Sequence, residues 1–258
     1  MKKILSLLFG CLILTSPLWA QVPPENKNMK PEDTEYYKPV PKVVHPGGLV
    51  TTPPPSDAIV LFNGHNLDKW EKGKKWQNKK SAPPAPWTVS NGVMTIKPGT
   101  GSIRTKQTFE DFQLHLEFRE PTPPKGHGQS RGNSGVYLQA LYEVQVLDSY
   151  KNKTYVNGQA GSIYKQFPPL VNACRPPGKW QSYDITFKAP RFNDDGSLKS
   201  PARVTVFQNG ILIQNNDTLK GRTLYIGHPY YTKHGPMPLM LQDHGAPVSF
   251  RNIWIRKL

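Results

Sequence analysis

The chain has 258 residues, with 33 lysines and arginines against 18 acids and a formal net charge of +15. Proline and glycine supply 48 of those residues, which breaks up any long helix. The basic residues are scattered, apart from a cluster at 72–80 read as a solvated loop, and no nucleic-acid-binding motif accompanies them. The charge therefore reads as solubilising or surface-associating, and nucleic acid is set aside as a partner.

In chain order, the first element is a secretory signal. Lys2 and Lys3 precede an apolar run from Ile4 to Leu14, and Ser16-Pro17-Leu18-Trp19-Ala20 supplies a small-residue cleavage site. The expectation is a signal peptide over 1–20 and an exported protein, in the periplasm or outside the cell. The run is too short for a comfortable membrane span, and none follows. Removing the signal takes Cys11 with it and leaves Cys174 alone, so stability has to come from a packed core and not from disulfides. Cys174 itself reads as an ordinary, partly buried thiol.

Residues 21–56 carry Pro-Pro at 23–24 and Pro-Pro-Pro at 53–55 without apolar periodicity. They read as an extended arm or linker. A globular domain is expected over 57–258. Its strand candidates are 59–62, 87–89, 93–97, 102–104, 112–119, 135–139, 142–147, 162–164, 180–188, 202–208, 211–215, 238–241 and 248–257. Asn91-Gly92 and Asn209-Gly210 sit between apolar runs, where two-residue hairpin turns need them. Many short antiparallel strands with no helical periodicity predict an all-β sandwich or jelly roll.

Three of these strands gather reactive side chains on one face. Glu143 and Gln145 alternate with Val144 and Val146, Tyr137 and Gln139 with Val136 and Leu138, and His115, Glu117 and Arg119 with three apolar residues. An ordinary solvated sheet face gives the same alternation. The concentration of acids, bases and amides points beyond it, to a carbohydrate-type cleft. Tyr225 to His234 adds three tyrosines and two histidines in a loop suited to stacking on sugar rings. Those histidines lack metal-ligand spacing. No cofactor or metal site is expected there, and a divalent cation elsewhere in the fold stays open.

An ordered set of motifs carries a resemblance. Leu61-Phe62-Asn63-Gly64 with Leu67 and Trp70, then Trp87 with Asn91-Gly92, are followed by Glu110-Asp111-Phe112-Gln113-Leu114 and Glu117-Phe118-Arg119. Next come Arg131-Gly132-Asn133-Ser134-Gly135-Val136, Tyr142-Glu143-Val144-Gln145-Val146-Leu147-Asp148, Gly161-Ser162-Ile163-Tyr164 and Lys179-Trp180-Gln181-Ser182-Tyr183. Asn209-Gly210, Leu241-Gln242-Asp243-His244-Gly245 and Phe250-Arg251-Asn252-Ile253 close the set. Over residues 57–258 the chain resembles the 3-keto-disaccharide hydrolase family. The resemblance implies a concanavalin A-like jelly-roll sandwich of two antiparallel sheets and an action on sugars oxidised at C3.

The chemistry so implied needs few parts. A C3 ketone makes the C2 proton acidic, a base removes it, the C1 glycosidic oxygen leaves, and water then adds across the double bond. Glu143 is the expected base, with His244 as alternate base or general acid. Glu117 is a further catalytic candidate, and Glu117, Glu143, Asp148 and Asp243 are all candidates should a pair of carboxylates hydrolyse the bond directly. Arg119 and Arg131 are expected on enolate charge or sugar hydroxyls. Asn133, Tyr137, Gln139, Gln145, Asp148, Tyr164, Gln242 and Asp243 complete the expected binding set, Asp148 with a structural alternative. A sugar 3-oxidoreductase would supply the ketone. Two other readings stay open at this point, a non-catalytic carbohydrate-binding module and a conventional two-carboxylate glycosidase.

Overall fold

The computed structural model describes residues 23–48, 51–73 and 82–258. The expected signal peptide and the lysines at 74–80 lie outside the described residues. Among those described there is no α-helix, only four short 3-10 turns, and two main antiparallel sheets carry the fold.

The larger sheet has eight strands. Its path runs Ile211–Thr218, Arg203–Gln208, Gln181–Lys188, Phe112–Arg119, Ser249–Lys257, Val93–Thr95 and Thr88–Ser90, and Ile59–Phe62 pairs with Ser249–Lys257. The smaller sheet runs Trp70–Lys72, Ile103–Phe109, Met237–Leu241, Ser134–Leu138 and Tyr142–Val146. This is the expected jelly-roll sandwich. Its apolar faces meet in the middle: Tyr142 lies 5.7 Å from Phe187 across the sandwich, and the Tyr183 hydroxyl donates to the Gln145 carbonyl at 2.7 Å. Trp70 is fully buried, and its indole N–H donates to Leu61 O at 2.9 Å, as a buried indole requires.

Both Asn-Gly hairpins form. Asn91 and Gly92 have φ of 51° and 77°, and Asn209 and Gly210 have 54° and 79°, the left-handed pair that such a turn demands. Gln139 and Ala140 make a third pair of this kind, with φ of 51° and 53°. The strand expected over 135–139 therefore ends at Leu138. Residues 162–164 form no strand; Ile163 makes only isolated bridges to Val144 and Phe167.

Residues 23–48, part of the expected extended arm or linker over 21–56, are docked on the domain. Asn26 donates to His228 O at 2.9 Å and accepts from His228 N at 2.7 Å. Asn157 does the same for Thr34 O and Tyr36 N, at 2.9 and 3.0 Å. Farther along, Lys42–Val43 pairs in parallel with Val171–Asn172, and Thr52 O accepts from the Trp254 indole at 2.9 Å. Asn157 thus satisfies backbone groups of the arm, and Asn26 satisfies those of His228 in the domain.

Candidate active site

The site grows from one hairpin. In Tyr142–Val146 the side chains of Tyr142, Val144 and Val146 enter the core, so Glu143 and Gln145 project from the other face. Tyr137 stands directly opposite Glu143 on the neighbouring strand, and Gly135 opposite Gln145. The Tyr137 hydroxyl donates to the Glu143 carboxylate. Burial raises the Tyr137 pKa well above its usual value, with the charge of Glu143 adding to the shift, so the phenol stays a donor. Gly135 is required by space: a Cβ there would collide with the Glu143 carboxylate and the Tyr137 ring.

Tyr142–Val146 is also an edge strand, and loops cover its free backbone. Gln145 N donates to Ser162 O at 3.0 Å and Tyr164 N to Glu143 O at 3.2 Å. Thr223 closes the seam by accepting from Glu143 N at 2.9 Å through its hydroxyl. These contacts bring Tyr164, Thr223 and Tyr225 over the carboxylate. From the opposite side, Gln242 N donates to Gly135 O at 3.0 Å and Ser134 Oγ to Gln242 O at 2.7 Å, which sets Gln242 and His244 at the rim.

The result is a cavity of about 100 Å³ lined by Asn133, Tyr137, Glu143, Gln145, Tyr164, Thr223, Tyr225, Gln242 and His244. Two of its amide oxygens, Gln145 Oε1 and Gln242 Oε1, are buried without a hydrogen-bond partner. An acceptor left so carries a desolvation cost that a ligand hydroxyl would relieve. The Tyr164 hydroxyl bonds to that of Tyr155 at 2.7 Å, and burial raises its pKa. Among the described residues Glu143 is the one carboxylate in this lining, and no lysine or arginine joins it.

Seven of the expected residues thus meet: Asn133, Tyr137, Glu143, Gln145, Tyr164, Gln242 and His244. Six others do not line the cavity. Gln139 turns away at the hairpin tip and donates to Phe109 O at 2.9 Å. Arg131 and Asp148 hold each other at 2.9 Å in an ion pair under the preceding loop. Asp243 caps the backbone of Gly101 and Gly245, at 2.9 Å each, and so supports the turn bearing His244.

Glu117 and Arg119 belong to the eight-stranded sheet and project from its outward face, because Leu116 and Phe118 face the core. Glu117 accepts from Arg251 at 2.7 Å, from Asn252 at 3.0 Å and from Thr51. Burial alone would raise its pKa, but hydrogen bonds from His115, Thr51, Asn252 and Arg251 outweigh it and hold the carboxyl at about 2. The Arg119 guanidinium lies 4.7 Å over the Trp180 ring. Alternation identifies which residues share a face of a strand, not which sheet that strand joins.

Thr223 was not legible, since a lone threonine in a loop carries no signal. Glu120 was also missed. It is buried, accepts from Gln181 at 2.9 Å on both oxygens, and is pushed by burial up to about 8. Cys174 is buried beside it, with its thiol pushed up to about 12, mainly by burial. Among the described residues no group of three or more His, Cys, Asp or Glu is placed to hold a metal ion.

Residues 57–256 match the profile of the 3-keto-alpha-glucoside-1,2-lyase-like domain. A protein from Parabacteroides distasonis, provisionally assigned as a glycosyl hydrolase, is 52% identical. That match covers 88% of this chain and 96% of the other, with a TM-score of 0.77. A second such protein from the same organism is 22% identical over 78% of this chain and 94% of its own, with a TM-score of 0.55, and shares the fold. No curated protein matches. Together these findings support a carbohydrate-active domain of hydrolase-like or lyase-like type. The chain belongs to the 3-keto-alpha-glucoside-1,2-lyase-like family.

Proposed function

We propose that this cavity cleaves the glycosidic bond of a neutral 3-keto-glucoside by elimination followed by hydration. One observation carries the reading: Glu143 is the single carboxylate lining the cavity among the described residues. Direct hydrolysis of an unoxidised glycoside generally calls for two carboxyl groups flanking the bond. The other candidates for that second role are engaged elsewhere, Glu117 with Arg251, Asp148 with Arg131 and Asp243 with backbone amides. Elimination needs only one base.

In this mechanism Glu143 takes the C2 proton, and the electron pair delocalises onto the C3 oxygen as an enolate. Tyr164 donates a hydrogen bond to that oxygen. The enolate then collapses to a C1–C2 double bond and expels the C1 oxygen, which takes a proton from His244. Water adds at C1 and a proton returns to C2, giving net hydrolysis. The buried oxygens of Gln145 and Gln242 accept from sugar hydroxyls. Among the described residues no lysine or arginine lines the cavity, which favours a neutral sugar over a sugar acid. The proposal includes an upstream sugar 3-oxidoreductase to form the ketone, and action in the periplasm or outside the cell.

The test is turnover of 4-nitrophenyl 3-keto-α-glucoside beside its unoxidised parent, with the wild-type chain and Glu143→Gln. Release of nitrophenolate from the keto sugar alone, reduced by about 10³-fold or more in the variant, is expected. Cleavage of the parent would instead make the protein a conventional glycosidase. Binding of either sugar without cleavage would make it a carbohydrate-binding module.

A further inference from the structure

Lys165 follows Tyr164 in the chain and has no place in the cavity lining. Its backbone is left-handed, with φ of 59°, and its side chain is 2% exposed. The buried ammonium donates to Pro31 O at 2.6 Å and Tyr225 O at 2.8 Å, and lies 3.5 Å from the Glu35 carboxylate. It also sits over three aromatic rings, 4.7 Å from the centroid of Tyr225, 5.6 Å from Tyr155 and 5.9 Å from Tyr164.

These partners come from three separate stretches of chain: the docked arm, the 155–165 loop and the 222–230 loop. Tyr164 and Tyr225 both line the cavity, and Tyr155 braces Tyr164 through its hydroxyl. An ammonium gathers such partners well, since carbonyl oxygens, a carboxylate and the faces of aromatic rings all attract a compact cation.

We propose that Lys165 is a positioning residue. It fastens the arm to the two tyrosine-bearing loops and so fixes Tyr164 and Tyr225 as the sugar-facing wall beside Glu143. The inference rests on the reading of the cavity as a sugar site, and it makes the arm part of the enzyme's binding apparatus. Lys165 acts through the tyrosines and touches no substrate.

The test compares the full chain with Lys165→Met, which keeps the stem and removes the charge, Lys165→Arg, which keeps the charge, and the milder Glu35→Gln. KM and kcat are measured on 4-nitrophenyl 3-keto-α-glucoside, and hydrogen exchange is followed over residues 24–36, 155–165 and 222–231. Lys165→Met should lower kcat/KM by about tenfold, with KM raised as the tyrosine wall loosens and kcat lowered as Tyr164 loses its hold on the enolate oxygen. Lys165→Arg should recover most of that loss, and Glu35→Gln should raise KM by about threefold. Exchange should quicken in all three segments together.

An unchanged KM, a fall confined to kcat, or faster exchange in the 155–165 loop alone would overturn the proposal. If the wild type fails to turn over the keto-glucoside, the catalytic reading falls by itself. Calorimetric Kd for 4-nitrophenyl α-glucoside then replaces KM. Should that sugar not bind either, the exchange pattern decides, and quickening that is not shared by the three segments overturns the role of Lys165.

Discussion

The Tyr137 hydroxyl reaches the Glu143 carboxylate from the directly opposed position on the neighbouring strand. This bond holds the proposed base in one orientation. Tyr137→Phe should therefore keep the fold and lower kcat by about tenfold, far less than Glu143→Gln, because orientation is loosened while the base remains. Steady-state kinetics on the keto-glucoside read the difference. Equal losses in the two variants would assign Tyr137 a direct part in proton transfer.

Gly135→Ala tests the space kept for that carboxylate. Gly135 does not have a positive φ, so the cost arises from the added methyl group against Glu143 and Tyr137. A loss of about 1–3 kcal/mol in urea unfolding is expected, as for overpacking elsewhere. A fall in kcat should accompany it. Unchanged activity would show that the carboxylate can move without consequence.

Glu117 gives an acid-side prediction that leaves catalysis alone. Its folded pKa is depressed to about 2 from an ordinary 4.5. The associated stability is therefore complete above about pH 4.5 and drains away as pH falls toward 2. Glu117→Gln should cost about 1–2 kcal/mol at pH 7 and flatten the acid limb of the stability curve. Its kcat on the keto-glucoside should stay within about twofold of wild type, since Glu117 is outside the cavity. Chemical denaturation at pH 7 and pH 3 measures the first effect.

Glu120 predicts the opposite slope. Its folded pKa is raised to about 8 from 4.5, chiefly by burial, with the hydrogen bonds from Gln181 offsetting part of the shift. Between those values the folded state keeps a proton that the unfolded state has lost. Stability from this group is thus full below about pH 4.5, falls as pH rises, and is gone above about 8. Glu120→Gln is neutral throughout and should remove that slope. It should match the wild type near pH 5 and exceed it by about 2 kcal/mol at pH 9. Parallel melting curves for the two proteins across that range would contradict the assignment.

The sequence made much of this legible where the information is local. Asn91-Gly92 and Asn209-Gly210 mark their turns because few other residues tolerate two successive left-handed conformations. Alternation in 142–146 separates Glu143 and Gln145 from the core for a similarly local reason. What failed was non-local. Gln139 looks like a strand residue until the hairpin places it in the turn. Likewise, Glu117 has the same alternation as Glu143 and lies on a different sheet. Where the arm docks is not a local matter either, because its partners, Asn157 and His228, are more than 100 residues away.

The hairpin that carries Tyr137 and Glu143 has a bearing on the order of assembly. The two residues are six positions apart, whereas Glu143 and Thr223 are separated by 80, and Ser134 and Gln242 by 108. Closing the short loop costs little chain entropy, and the longer closures cost more and come slowly. A chain part-way through folding can hold its phenol and carboxylate together while both are still bathed in water. On the proposed mechanism reactivity then waits on the distant segments, and the last loops to dock act as the safety catch on a carboxylate already paired with its phenol.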